Sequence, residues 1–240
     1  MMEDKVIAFG IPACADILRT LKPGHPRLLI SDEGFDELRR LVREDAVAGR
    51  YYAWLAARAE RILSEPVVAT TTSGDGMARV RLERAVLPAL IYRLTDDRRF
   101  LDRALAEAGA GAREPAWEDS PQHLFVLSTA ESATALALCY DWLHGDLAPE
   151  QRATLREALV RRALRPALAV YTKPPGHRYW PDRNNNWNQV CNGGAVLAAL
   201  AIADEEPELA AQVLSFALDS LPTAMREFSP DGGWEEGPGY

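Results

Sequence analysis

Gly194-Ala-Val-Leu-Ala-Ala-Leu-Ala-Ile-Ala203 is apolar at every position, whereas the segment that follows it, Pro207 to Phe228, concentrates its large apolar residues at Leu209, Val213, Leu214, Leu218 and Leu221, with Ala217 among them. The first stretch has to be enclosed on all sides; the second needs only one face in the core. Spacings of three and four residues predict helices in both, the second kinked or ended at Pro222, because proline lacks the N–H that a helix interior uses. The same contrast occurs upstream. Pro121 to Leu143 is more apolar all round than an ordinary surface helix, while Pro149 to Tyr171 carries a wide charged face through Arg152, Arg156, Glu157, Arg161, Arg162 and Arg165. Enclosed helices alternating with amphipathic ones imply two concentric helical layers.

Working back toward the N-terminus, Ser31-Asp32-Glu33 reads as an N-cap with acidic residues in the first turn. Phe35, Leu38, Leu41 and Val42 then follow at helical spacing, and Tyr51, Trp54, Leu55 and Ile62 repeat it between Gly49 and Pro66. Ala69 to Gly76 reads as a loop. Helical periodicity resumes through Val80, Val86, Leu87, Leu90, Ile91 and Leu94 and, after Asp96-Asp97, through Phe100, Leu101 and Leu105. No strand pattern is present. The expected fold is therefore all-α, about eight helices in four antiparallel hairpins, laid out as an incomplete α/α toroid or a solenoid, with residues 1–24 as a leader and 25–240 as the helical domain.

Composition narrows the function. The chain has 240 residues, 48% of them hydrophobic, and a formal net charge of -8, with its Lys and Arg dispersed. A nucleic-acid footprint needs a clustered basic face, so that class is excluded. Cys14, Cys139 and Cys191 are odd in number and widely spaced, which predicts buried thiols rather than disulfides or a zinc site. His25, His123, His144 and His177 share no ligand spacing, so neither a metal nor any other cofactor is expected. The acidic N-terminus and the breaks at Pro12 and Asp16 do not make a secretory signal, and Ile-Pro-Ala-Cys14 is only a faint lipoprotein pattern. No apolar run reaches the roughly 18 residues of a membrane span. A soluble, cytoplasmic protein is the expectation, and the oligomeric state is left open.

Two stretches do not read as packing. Between Lys173 and Gly194 lie His177, Arg178, Tyr179, Trp180, Asp182, Arg183, Asn184, Asn185, Asn186, Trp187, Asn188, Gln189, Cys191 and Asn192. One helix cap needs one Asn, and here five fall within nine residues, from Asn184 to Asn192. The second stretch is Pro230-Asp-Gly-Gly-Trp234-Glu235-Glu236-Gly-Pro-Gly-Tyr240, which alone reads as a turn-rich tail. Trp180, Trp187 and Trp234 suit either the core or stacking on a sugar ring. His123, Glu131 and Asp141, on the enclosed helix, either line a cleft or are paired. Asp141 and Asp182 are also the carboxylates available to a glycoside hydrolase.

Together with His25-Pro-Arg-Leu-Leu29, Thr-Ala-Glu131 and Tyr140-Asp-Trp-Leu143, these two motifs resemble, in order and across nearly the whole chain, the heparinase II/III family of polysaccharide lyases. The resemblance implies a helical toroid that in the family precedes a β-sandwich and cleaves uronate-containing glycans by β-elimination. No β-sandwich sequence is present, and the family's toroid extends beyond the last motif, so the resemblance implies a partial, C-terminally truncated domain. It also implies an acidic polysaccharide or oligosaccharide as partner. Asn186 is then the residue that neutralises the uronate carboxylate and Tyr240 the acid, the base or both. His177, Arg178, Arg183, Trp187, Asn188, Gln189 and Glu236 are the substrate-binding candidates. Where related lyases often have Asn-Asn-His, this chain has Trp187 in the third place. Deprotonating a tyrosine of pKa near 10 at pH 7 costs roughly 4 kcal/mol, so a cation must lie close to it.

Overall fold

A computed structural model describes residues 10–68, 75–118 and 124–234. Those residues form α1 (Asp32–Glu44), α2 (Ala46–Ser64), α3 (Asp75–Thr95), α4 (Arg98–Arg113), α5 (Leu127–Trp142), α6 (Pro149–Leu159), α7 (Arg165–Tyr171), α8 (Asn186–Ala201), α9 (Pro207–Ser220) and the short α10 (Pro222–Met225). No strand occurs among the described residues, and the all-α expectation holds. A π turn, Val160–Leu164, joins α6 to α7 as one rod. Helix starts follow local chemistry. The Ser31 side chain accepts from Gly34 N, and Asp97 accepts from Arg99 N. Asp45 ends α1 by donating its N–H to Leu41 O and starts α2 by accepting from Val47 N and Ala48 N. Pro222, as expected, marks the end of α9.

Cross-helix pairs fix the directions. Arg81 near the start of α3 donates to Ser132 near the start of α5 (2.8 Å), and Arg93 near the end of α3 donates to Trp142 O at the end of α5 (3.1 Å), so the two helices run parallel. Gly194, midway along α8, lies on Ala130 in the first turn of α5, and Arg27 bonds both Asp141 near the end of α5 and the Leu200 and Ala201 carbonyls at the end of α8, which makes α8 parallel as well. The partner helices run the other way: Arg84 of α3 meets Glu107 of α4 at 2.9 Å, and Tyr171 at the end of α7 meets Asn192 near the start of α8 at 2.6 Å. Glu60 and Glu65 O of the α2 end pair with Arg99 and Arg103 of α4, setting α2 parallel to α4. The result is an inner layer of α3, α5 and α8 and an outer layer of α2, α4, α6–α7 and α9.

The inner layer is enclosed because it is built from small residues. Ala130, Ala133, Ala135 and Ala137 of α5 and Ala195, Ala198, Ala199 and Ala201 of α8 are all fully buried. A Cβ on Gly194 would stand 2.5 Å from the Ala130 carbonyl oxygen and 2.7 Å from its Cα, so only glycine permits this approach of the two backbones. Cys139 and Cys191 are buried as expected, and burial pushes the Cys139 thiol up to about 12. Cys14 departs from that expectation: it sits exposed in a short turn, Cys14–Asp16, where the chain lies along the edge of α9 instead of under it.

At the C-terminal ends of the inner helices the segment before α1 acts as a strap. The fully buried Asp141 carboxylate accepts from Arg27 N (2.9 Å), Leu28 N (2.8 Å) and His25 Nδ1 (2.6 Å). Arg27 then spans to α8, donating to Leu200 O and Ala201 O at 3.1 Å each and pairing with Asp204. An arginine on a helix's last carbonyls satisfies acceptors that have no helical partner and complements the negative end of the helix dipole. Because arginine has only donors, its 3.1 Å contact with His25 assigns the hydrogen of that ring to Nδ1 and leaves Nε2 as acceptor. His144 stacks on His25 with centroids 4.0 Å apart. Tyr140 donates to Glu205, which also pairs with Arg156. Asp141 is thus paired, and does not line a cleft.

Three outcomes follow from this packing. In urea unfolding, Gly194→Ala should lose roughly 1–3 kcal/mol through overpacking, whereas Gly193→Ala, which meets open space, should gain up to about 1 kcal/mol of helix propensity. Asp141→Ala should cost roughly 3–5 kcal/mol by the same measurement, because it orphans two backbone donors and a histidine. Burial, helped by the positive charge of Arg152, pushes His144 down to about 4. The fold therefore favours its neutral form: its contribution is complete above pH 6.5 and is lost as pH falls toward 4. His144→Phe should flatten that limb of a stability–pH profile.

Candidate functional site

The parallel inner layer brings the N-terminal ends of α3, α5 and α8 to one end of the molecule, and buried polar groups hold the segments that lead into them. Before α3, Glu107 accepts from Val68 N (3.1 Å), Arg84 (2.9 Å) and Arg103 (2.5 Å), while Arg103 also donates to Glu65 O (2.6 Å). After α4, Arg81 binds Glu114 and Ser132, and Trp117 Nε1 donates to Gly111 O at 2.9 Å. Burial raises the Glu114 carboxyl against the opposing pull of Arg81. Before α8, Trp180 is buried, donates to Phe125 O at 3.0 Å and packs edge-on against Tyr171, so it belongs to the core.

The asparagine run separates residue by residue. Sequence periodicity placed the start of the apolar helix at Gly194; α8 starts eight positions earlier, at Asn186, because the Asn185 side chain caps it by accepting from Trp187 N. Once the helix includes these residues, Asn188 and Asn192 fall one turn apart on its inner face, and both are fully buried. Asn188 Nδ2 donates to Pro181 O (3.0 Å), Ser220 O (3.2 Å) and Ser220 Oγ (3.0 Å); Asn192 Nδ2 donates to Asn188 O (2.7 Å) and Ser220 Oγ (3.0 Å), while Asn192 Oδ1 accepts from Tyr171 OH (2.6 Å). These two amides fasten the loop to α8 and α9. Asn188 is therefore a positioning residue, not the substrate contact that the resemblance suggests. Asn184 donates to Glu227 at 3.1 Å. Asn186 remains, half-exposed at the first position of α8, its amide bonded to no side chain among the described residues.

Around Asn186 the other candidates differ in availability. Arg183 is exposed, its Nε donating to Tyr179 O at 3.3 Å, and His177 is exposed too. Arg178 is committed to Asp182 at 2.6 Å, and Asp182 also accepts from Gly176 N at 2.9 Å. Trp187 is half-buried with its ring edge-on to Tyr179 at 5.2 Å. Gln189 Nε2 is buried with no hydrogen-bond partner among the described residues. Trp234 packs on Phe228 at 5.1 Å. Tyr240, Glu236 and His123 lie outside the described residues. Glu131, on α5, pairs with Arg79 of α3 at 3.0 Å, a bridge between inner helices; Arg79 carried no signal of its own in the sequence. Neither Ser220 nor Tyr171 stands out from an amphipathic pattern, so the buried amide network was not legible either.

Charge on this end is shaped by three parallel helix N-termini, each equivalent to roughly +0.5 elementary charge, and by Arg183. Inside a chain of net charge -8 this is a local preference for anions. A carboxylate pair from Asp141 and Asp182 does not exist: Asp141 is at the C-terminal end of the inner layer and Asp182 at the N-terminal end, roughly 20 Å apart at 1.5 Å per residue, far beyond the roughly 5–9.5 Å that glycoside hydrolysis needs. No cluster of His, Cys, Asp and Glu suited to a metal occurs among the described residues, and no described helix is long and apolar enough to cross a membrane. No protein-family model and no curated protein matches the chain. The division of labour in the asparagine run is measurable in thermal unfolding. Asn188→Ala should destabilise by roughly 2–4 kcal/mol, as buried partners lose their bonds, whereas Asn186→Ala should change stability by less than about 0.5 kcal/mol.

Proposed function

We propose that this chain supplies the helical side of a polysaccharide lyase site that cleaves uronate-containing glycans by β-elimination, and we read its two helical layers as an arc of an α/α toroid. The observation that carries the reading is Asn186: in a run whose other asparagines are capping, paired or buried, it alone presents an amide unengaged among the described residues, at the positive end of α8, with exposed Arg183 three residues before it. Elimination removes the proton from the carbon next to the uronate carboxylate. The electron pair forms the new carbon–carbon double bond, and the glycosidic oxygen leaves with a proton from an acid. Negative charge builds on the carboxylate as the proton departs, so donors aimed there lower the barrier. Asn186 Nδ2 is suited to donate, and the helix dipole acts in the same sense. By the family resemblance Tyr240 handles the proton and Glu236 contacts substrate. Arg183 or His177 supplies the nearby positive charge that such a tyrosine requires.

One observation favours a second reading, binding of an acidic glycan without turnover: Trp187 occupies the place where related lyases often carry a histidine. Ultraviolet absorbance of the unsaturated product separates the two. Under the lyase reading, Asn186→Ala and Tyr240→Phe each lower product formation at least 100-fold with polyuronate substrates, and Arg183→Ala raises KM more than it lowers kcat. Saturable binding of a polyuronate with no rise in absorbance for the unaltered protein would replace the first reading by the second.

A further inference from the structure

The outer helix α2 carries two of its three aromatic residues, Tyr51 and Trp54, on the side away from the core. Its inner face buries Ala59 and Ile62 against α3 and α4, with Tyr52, Leu55 and Ala56 beside them. Val47, Tyr51 and Trp54, spaced by four and three residues, form a second stripe that faces solvent: Val47 is 50% exposed, Tyr51 69% and Trp54 67%. Trp54 is the one tryptophan in the exposed class among the described residues. Large aromatic surface left in water in the middle of a helix marks a contact site. Charge identifies the contact. From Ala46 to Ser64, α2 holds Arg50, Arg58 and Arg61 against a single acidic residue, Glu60, in a chain whose net charge is -8. Glu60 is bound to Arg99, and Arg58 is bound to Glu65 and Glu83. Arg50 and Arg61 flank the aromatic stripe and have no ion pair among the described residues.

We propose that Tyr51 and Trp54, flanked by Arg50 and Arg61, form a non-catalytic platform for an acidic polysaccharide chain, separate from the Asn186 end; the ligand class rests on the function proposed above. A pyranose presents one apolar face of C–H bonds, which the electron-rich face of an aromatic ring attracts. Three residues along a helix advance about 4.5 Å, close to the length of one sugar ring, so the two aromatics address neighbouring or successive rings of one chain. Carboxylates at the rim of the sugar then reach the guanidiniums of Arg50 and Arg61. A second copy of the protein is the poorer occupant: a stripe of three apolar side chains falls well short of the roughly 800 Å² per partner of a stable dimer.

The experiment is acrylamide quenching of tryptophan fluorescence, with a galacturonate hexamer and a heparin hexasaccharide as probes and maltohexaose as the neutral control. The expected result is saturable protection by at least one acidic probe and none by maltohexaose. Trp54→Phe should remove the quenchable component. Tyr51→Ala with Trp54→Ala should weaken retardation in a polyuronate-containing native gel at least tenfold, and Arg50→Ala with Arg61→Ala several-fold with a reduced salt dependence. Asn186→Ala should leave the Trp54 protection in place. Protection of Trp54 by neither acidic probe, unchanged retardation of the aromatic double variant, or a wild-type dimer in sedimentation that the double variant dissociates, would each overturn the proposal. Trp54-dependent binding with no unsaturated product would retain the platform and discard the lyase. Product formation without Trp54-dependent binding would do the reverse.

Discussion

Where Gly194 lies on Ala130, two helix backbones touch with no side chain between them, and the arrangement of the inner layer depends on that contact. Small residues let α5 and α8 approach closely, and close approach in a parallel sense puts their N-termini at the same end of the molecule. A parallel pair of neighbouring helices cannot be joined by a tight turn. The chain must return along the outside each time, which is why an amphipathic helix follows every enclosed one. The two-layer design is thus a consequence of direction as much as of hydrophobicity.

The same geometry sorts the polar residues. The middle of the inner layer is alanine and leucine, and the buried charges collect at its two ends: Glu107, Glu114, Arg81 and Arg84 at one, Asp141 at the other. Burying charge is costly and adds little net stability when it is paired. Besides pairing across helices, several of these groups also hold the segments that lie outside them. Glu107 holds the backbone at Val68 and Asp141 holds it at Arg27 and Leu28. Rigid entry points for the loops leave a few side chains, Asn186 and Arg183 among them, facing outward from a fixed base.

Much of the fold was legible because polarity alone distinguishes an enclosed helix from a one-faced one, as in Gly194–Ala203 against Pro207–Phe228. The true start of α8 was not, because asparagine is a poor helix former and a run of it reads as loop until burial of Asn188 and Asn192 and the cap from Asn185 are taken together. Spacing also fails for partners far apart in the chain. Nothing local connects His25 to Asp141, so the motifs around them read as fragments of a family pattern, although here they are two halves of one structural joint. In the candidate site the type of residue was legible and its role was not: Asn186 and Asn188 are two positions apart, and a helix turns that into opposite faces.

The strap at residues 25–28 has a consequence for how the chain comes to be folded. His25 bonds a residue 116 positions downstream, and Arg27 pairs with one 177 positions downstream. Contacts of such separation require most of the loop-closure entropy to be lost before they form. During synthesis residues 25–28 leave the ribosome long before Asp141 and Asp204 exist to receive them. A segment made before the helices it fastens is therefore placed after them, and its arrival signals that the inner layer behind it is complete.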